Sequence, residues 1–146
     1  MKQARRQSTG SQARRSPKSA IAKGMPDLRG IWIPAEGAHI VEGPTRHHTS
    51  GTKPVLGHAS LRRHTSKFVF RFEAQEGRTF WGVLSSGKVS ETLIGAISVD
   101  GKRFVITDED GMFNGTVVDN DTLDYCYCHV TPTDRCVASG LLIRQK

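Results

Sequence analysis

Two Asp-Gly dipeptides, Asp100-Gly101 and Asp110-Gly111, separate short runs that are rich in Val, Ile, Phe and Thr. An Asp-Gly pair supplies the positive φ angles that a two-residue type I′ hairpin turn requires. The runs on either side of each turn are therefore predicted to be antiparallel neighbours in a sheet. Because no helix is predicted between these runs, the sequence indicates an all-β fold.

Eight strand segments are predicted along the chain, near residues 29–33, 67–73, 79–85, 91–99, 102–108, 112–118, 122–130 and 136–144. Tight turns join most of them. An up-and-down barrel of eight strands leaves no exposed sheet edge, and its interior is filled by side chains or holds one small ligand. We therefore expect an eight-stranded antiparallel up-and-down barrel, with an open β-sandwich as the alternative.

The formal net charge of +7 is concentrated at the N-terminus. Residues 1–24 contain seven Lys or Arg and no acid, so residues 25–146 balance at fourteen bases and fourteen acids. Residues 1–26 have few apolar side chains and are predicted to be a disordered basic tail before a single domain over residues 27–146. Three interpretations stay open for the tail: an arm for nucleic acid or an acidic partner, an organellar transit peptide, or an extension without a role.

The sequence contains no apolar run near the ~20 residues that span a bilayer, and its N-terminus has no apolar signal region. We therefore expect a cytoplasmic protein without membrane contact. In that compartment the three cysteines are expected to be reduced thiols rather than a disulfide framework.

The first strand contains Gly30-Ile31-Trp32, which resembles the Gly-x-Trp signature of calycins, the superfamily of lipocalins, fatty-acid-binding proteins and avidins. In those barrels a basic residue near the end of the last strand packs over the tryptophan, and Arg144 is the matching residue. The resemblance implies that Trp32 and Arg144 are a structural pair that closes one barrel end. Since no helix follows the last strand, the outline is closest to avidins. Biotin is not implied, because the chain has only two tryptophans.

Strand parity conflicts with this pair, because Leu141 and Ile143 are the expected inward residues of the last strand and Arg144 would then point outward. We therefore expect the last strand to bend or to contain a bulge.

Two strands show clean alternation with aromatic residues on one face. The first presents Phe68, Phe70 and Phe72, and a turn at 75–77 is expected to pair these with Leu84, Gly82 and Phe80 and to set Arg71 opposite Trp81. Barrel closure turns such faces toward one cavity. The predicted ligand-binding residues are Phe68, Phe70, Phe72, Phe80, Tyr125, Tyr127 and His129. The long polar segment 34–66, with five of the six histidines, is expected to be a loop that roofs this cavity.

No cofactor, metal or catalytic site is predicted. A zinc constellation of Cys126, Cys128, His129 and Cys136 is disfavoured, because alternation places His129 on the face opposite Cys126 and Cys128. Cys128 and Cys136 are expected to lie diagonally on one face, close enough to oxidise. The acids at 108–110 do not satisfy the calcium-loop pattern and are interpreted as a hairpin turn in water, without the perturbed pKa that catalysis needs.

Three classes of function remain open at this stage. The first is a non-enzymatic barrel that binds a small apolar or amphipathic molecule in its interior. The second is a small-barrel enzyme in which His129 with Tyr125 or Tyr127 transfers protons. The third is an interaction protein, which acts through the basic tail or by forming homo-oligomers through an outer strand face.

Overall fold

The computed structural model describes residues 23–42, 60–63, 67–87 and 89–146. Its nine strands are β1 Gly30–Glu42, β2 Ser60–Arg63, β3 Phe68–Glu76, β4 Thr79–Ser86, β5 Val89–Ile97, β6 Arg103–Thr107, β7 Gly111–Val117, β8 Thr122–Val130 and β9 Arg135–Arg144. Within the described residues no helix is long and apolar enough to cross a membrane. Residues 1–22, most of the predicted basic tail, lie outside the described part of the chain.

Closure of the sheet depends on β1, which has a partner on each of its edges. Its first residues pair with β3, and the stretch from Trp32 to Glu42 pairs with β9. The other strands pair antiparallel in chain order from β3 to β9, while β2 is joined to β1. The predicted closed barrel of eight antiparallel strands is therefore confirmed. The β-sandwich alternative is wrong, because the β1–β9 ladder joins the two ends of the sheet.

The first strand is longer than predicted, so segment 34–66 is not a loop throughout. Residues 34–42 continue β1, and β2 pairs with the end of β1 on the edge opposite β9. A bulge between Pro34 and Glu36 accommodates the proline, which has no amide hydrogen for the ladder. These parts extend the barrel wall rather than roofing it. Residues 43–59 and 64–66, with four of the histidines, lie outside the described residues.

The predicted register of the β3–β4 hairpin is wrong by two residues. Phe72 pairs with Gly82 rather than Phe80, and Phe70 pairs with Leu84 rather than Gly82. β3 runs three residues further than expected, to Glu76, so the turn lies at 77–78, where Gly77 takes a positive φ. A bulge between Phe72 and Ala74 takes back one residue of this shift and lets Phe72 and, three residues later, Gln75 both face inward. The position of the turn places Trp81 opposite Ala74 rather than opposite Arg71, so the predicted stack on the outer face is wrong.

The barrel interior is an apolar core. Among the described side chains, it includes residues of β1 and of each strand from β3 to β9. Two of its aromatic pairs meet edge to face, a preferred arrangement of aromatic rings. Phe72 and Phe80 lie 5.0 Å apart at 74°, and Phe70 and Phe113 lie 5.4 Å apart at 82°. The buried apolar residues are Leu28, Trp32, Phe70, Phe72, Phe80, Leu84, Leu93, Ile97, Phe104, Ile106, Phe113, Leu123, Tyr125 and Leu142.

Arg144 covers Trp32 at one end of this core, where β9 meets β1. The guanidinium carbon lies 4.2 Å from the centre of the indole ring, and the Trp32 indole donates a 2.8 Å hydrogen bond to the Leu28 carbonyl. The guanidinium also donates to the carbonyls of Arg29, Asp27 and Asn120. These contacts tie the chain before β1 across the barrel end, which we call the sealed end.

The prediction of which β9 residues face inward is wrong. With the observed inward residues, β9 needs no bend to bring Arg144 to the Trp32 indole. Leu142, rather than Leu141 or Ile143, is the buried residue. Cys136, near the start of β9, is buried on the same face. Arg144 shares this parity and faces the indole directly. The run of Leu141, Leu142 and Ile143 is apolar at every position, so alternation alone could not fix the inward face.

The two tryptophans provide a matched test of this packing. Trp32 is 0% exposed and Trp81 is 44% exposed. We expect Trp32→Ala to lower the free energy of unfolding by about 3–5 kcal/mol, because it leaves a large cavity under Arg144. Trp81→Ala is expected to cost about 1 kcal/mol or less. Urea unfolding of both variants measures the difference, and equal losses would contradict the placement of Trp32 at the sealed end.

Candidate functional site

The seven predicted ligand-binding residues all face the barrel interior, but they do not form one group. Phe72 contacts Phe80 and, at 6.3 Å between ring centres, Trp32 at the sealed end. Tyr127 instead contacts Phe113 at 4.4 Å and His129 at 5.7 Å. Phe70 and Tyr125 lie in the buried core, and Phe68 and Tyr127 are half-buried at its margin. The packed core thus separates Phe72 and Phe80 from Tyr127 and His129.

A chain of polar contacts occupies the end of the barrel that contains Tyr127 and His129. The Tyr127 hydroxyl donates a 3.0 Å hydrogen bond to Asp110 Oδ1 and lies 3.1 Å from His129 Nδ1. His129 Nε2 lies 2.8 Å from Asp134 Oδ1. We call Asp110, Tyr127, His129 and Asp134 the polar network, and the end of the barrel that holds it the polar end.

Asp134 is fixed by the turn between β8 and β9. The Thr131 amide donates to the Asp134 carbonyl at 2.8 Å, and the hydroxyls of Thr131 and Thr133 donate to Asp134 Oδ2. Partial burial acts to raise the pKa of Asp134, but the hydrogen bonds from Thr131, Thr133 and His129 outweigh it and lower the pKa. Asp134 is therefore an ionised acceptor at neutral pH, and it holds the His129 ring in one orientation.

Gly111 makes room for Tyr127. It pairs with His129 across the β7–β8 ladder, and a Cβ atom at this position would collide with the ring and hydroxyl of Tyr127. Burial, and then the charges of Asp108 and Asp110, raise the pKa of Tyr127 far above its usual value. The hydroxyl therefore keeps its hydrogen and acts as a donor.

A cluster of three acids lies beside the polar network. Oxygens of Glu91, Asp108 and Asp110 come within 4.8 Å of one another, and Glu91 is buried on the inner face of β5. Asp108 Oδ1 accepts the backbone amides of Asp110 and Gly111, and Asp110 Oδ1 accepts the Tyr127 hydroxyl. One oxygen of Asp108 and one of Asp110 are thus engaged in hydrogen bonds, and we assign no metal to the cluster.

The interpretation of residues 108–110 as turn acids with ordinary pKa values is wrong for Asp108. Desolvation by burial raises the pKa of Asp108, and the charges of Asp110 and Glu91 add to the shift. The sequence did hold a signal for Glu91, since alternation places it on the same face of β5 as Leu93 and Ile97. Asp134 had no such signal, because only the turn geometry brings it to His129.

One of the three cysteines, Cys136, lies on a different face than predicted. Cys126 and Cys128 are exposed on the outer face of β8, whereas Cys136 is buried and pairs with His129 across the β8–β9 ladder. The prediction that Cys128 and Cys136 share a face is therefore wrong. The error has the same origin as the parity error in β9. The rejected zinc constellation is also not brought together, since its cysteines point to opposite sides of the wall.

Burial raises the pKa of the Cys136 thiol to about 11, so this thiol is protonated as well as inaccessible. Because the thiolate is the reactive form, we expect iodoacetamide at about pH 8 to modify Cys126 and Cys128 in the native protein and to leave Cys136 intact. Mass spectrometry after proteolysis identifies the modified sites. Unfolding in urea should expose all three, and native modification of Cys136 at the rate of the other two would contradict its burial.

Comparisons with known proteins leave the family open. No protein-family model and no curated protein matches the chain. Among solved structures, the S-type phycobiliprotein lyase CPES from Guillardia theta is similar at 12% sequence identity and a TM-score of 0.36, over 82% of this chain and 89% of that chain. A likeness at this level carries no argument about function, so the site must be interpreted from its own geometry.

Proposed function

We propose that the protein is a non-enzymatic binding barrel, which holds a small amphipathic molecule at its polar end. The single observation that carries this proposal is the division of the inner face. At the sealed end, Trp32 and Leu28 are buried under the Arg144 contacts. At the polar end, Tyr127 and Phe68 remain half-buried beside a network of hydrogen-bonding groups.

The chemistry of the polar end favours a ligand with an apolar body and a polar group. Leu84, Phe70 and Phe113 provide an apolar floor, and Tyr127 packs on Phe113 at 4.4 Å. The polar network and the neighbouring carboxylates offer mainly acceptors. An apolar surface with few orienting polar groups is the usual composition of a small-molecule site. The ligand group that meets this end is therefore expected to donate hydrogen bonds.

The calycin resemblance supports the same proposal. Its two elements, Gly30-Ile31-Trp32 and Arg144, lie in contact across the β1–β9 ladder. Barrels of eight strands leave an interior in which one small ligand is commonly held. We propose calycin membership on this basis, with the ligand at the end of the barrel opposite the Trp32 and Arg144 pair.

A proton-transfer enzyme is the second candidate function. One observation indicates which tyrosine would act with His129. Of the two tyrosines first considered, Tyr127 is the one with its hydroxyl next to His129 Nδ1, while Asp134 orients Nε2. Tyr125 is buried in the core, where desolvation raises its pKa to about 12. If the protein is an enzyme, His129 and Tyr127 are its acid–base pair. Turnover of a bound ligand that is abolished by His129→Gln would favour this candidate.

The binding proposal is tested by titrating a polarity-sensitive fluorescent probe with an amine group into the full-length protein. We expect saturable binding that Tyr127→Phe weakens about fivefold to tenfold, because one hydrogen bond of about 1 kcal/mol is lost. Tyr125→Phe makes the same chemical change on the same face of β8 but deeper in the core. This control is expected to change the affinity less than twofold.

Two outcomes would contradict the proposal. One is the absence of saturable binding to the wild-type protein, which would mean that the inner aromatic residues only pack against one another. The other is equal weakening by the two Tyr→Phe variants, which would place the probe away from the polar end. Thermal unfolding of each variant, measured in parallel, separates a loss of affinity from a loss of folded protein.

A further inference from the structure

The polar network contains three contacts, and each contact needs one hydrogen atom. These are His129 Nε2 to Asp134 Oδ1 at 2.8 Å, His129 Nδ1 to the Tyr127 hydroxyl at 3.1 Å, and that hydroxyl to Asp110 Oδ1 at 3.0 Å. At one end the Asp134 carboxylate accepts, and at the other Asp110 Oδ1 accepts the Tyr127 hydroxyl. Tyr127 supplies one hydrogen and a neutral imidazole supplies one, so a neutral ring leaves one contact without a hydrogen.

We propose that the network is completed by a doubly protonated His129 and forms a proton-dependent latch at the polar end of the barrel. Loss of one ring proton leaves two hydrogens for three contacts. The Tyr127 hydroxyl then keeps its bond to Asp110 or its bond to His129, but not both. The latch is a property of the protein alone and does not require that the ligand of the proposed function exist.

Carboxyl groups lie on two sides of the His129 ring. Asp134 lies in the turn after β8 and Asp110 in the turn before β7, where His129 Nδ1 is 3.9 Å from Asp110 Oδ1. The ionisable groups on the inner face and turns of the surrounding elements are Asp110, Asp108, Glu91, Asp134, Cys136 and His39. Four of these six are carboxyl groups. Arg135 lies beside Asp134 but points to the outer face of β9.

Two of the groups that could otherwise change the hydrogen count are held in fixed states. Hydrogen bonds from Thr131, Thr133 and His129 overcome partial burial and keep the pKa of Asp134 low, so this carboxyl group brings no hydrogen. Burial and the charges of Asp108 and Asp110 raise the pKa of Tyr127, so its hydroxyl keeps its hydrogen. At the other end Asp110 Oδ1 accepts the Tyr127 hydroxyl, and the third hydrogen is assigned to the His129 ring, which lies between the two carboxyl groups.

A pH series on the full-length protein with ¹⁵N-labelled histidine and labelled tyrosine tests the latch by NMR. At the acidic end of the native range we expect both ring nitrogens of His129 to carry hydrogen. As the pH rises, one nitrogen loses its hydrogen and the ring signals of Tyr127 shift in the same transition. The latch is overturned if the Tyr127 signals shift independently of His129, or if His129 carries a single hydrogen at every pH at which the protein is folded.

Two carboxyl-to-amide variants sharpen the test, because each one supplies the missing hydrogen from a different end. In Asp110→Asn the amide donates to Tyr127, Tyr127 donates to His129 Nδ1, and a neutral ring keeps its hydrogen on Nε2. In Asp134→Asn the amide donates to Nε2, and the neutral ring keeps its hydrogen on Nδ1. We therefore expect opposite tautomers of His129 in the two variants, with Tyr127 signals that no longer follow its titration.

The same tautomer in both variants, or a Tyr127 transition as large as in the wild-type protein, would overturn the proposal. A backbone amide spectrum of each variant shows whether the fold is retained, and the wild-type pH series decides if a variant does not fold. None of these measurements involves a ligand. Failure of the latch is therefore distinguishable from failure of the proposed binding function.

Discussion

The pairing of β1 with two partners is the constraint on which the rest of the structure depends. Because Trp32 is bonded to β3 on one side and to β9 on the other, the sheet closes at this residue. The Arg144 guanidinium then lies over the indole and binds the carbonyls of the chain that precedes β1. An arginine that stacks on a buried tryptophan contributes both packing and hydrogen bonds.

Closure at that point gives the two barrel ends different chemistry. The inner face near Trp32 is apolar and buried. The segment before β1 crosses it, and the Leu28 amide in that segment donates a 2.9 Å hydrogen bond to the Gln75 side chain. The inner face at the far end carries Glu91, Tyr127 and His129, with acids from two turns around them. Polar groups in such a setting are costly unless they bond to one another, and the polar network satisfies that need. Of the groups at this end, Glu91 and His129 are buried, and Tyr127 is half-buried at the margin of the core.

The sequence was sufficient to predict the fold, because hairpin turns and alternating strands are local signals. The predicted turn type is wrong, since neither Asp100 nor Asp110 has a positive φ and Gly111 is already part of β7. The sequence was insufficient wherever a bulge or a displaced turn changes the pairing of a strand or the face that its residues share. The β3–β4 turn lies at 77–78 rather than 75–77, and together with the bulge at Glu73 this moves Phe72 from Phe80 to Gly82. Nothing in the alternation of β3 indicates either feature. The bulge after Pro34 similarly hid most of β1 within an apparent loop.

The site was predicted in part for the same reason. Tyr127 and His129 lie on the inner face that their alternation indicated. Asp110 and Asp134 join them only through hairpin geometry, since they come from two separate turns. Contacts of this kind depend on register and turn shape, which single-strand patterns do not contain.

Native-state hydrogen exchange tests the central claim that the barrel is closed through β1. The account predicts that amides in the β1–β9 ladder between Trp32 and Leu142 exchange only by global unfolding, with the same free energy as the central amides of β4 and β8. Exchange of the β1–β9 amides at a clearly lower free energy, while β4 and β8 remain protected, would show an open sheet and would contradict it.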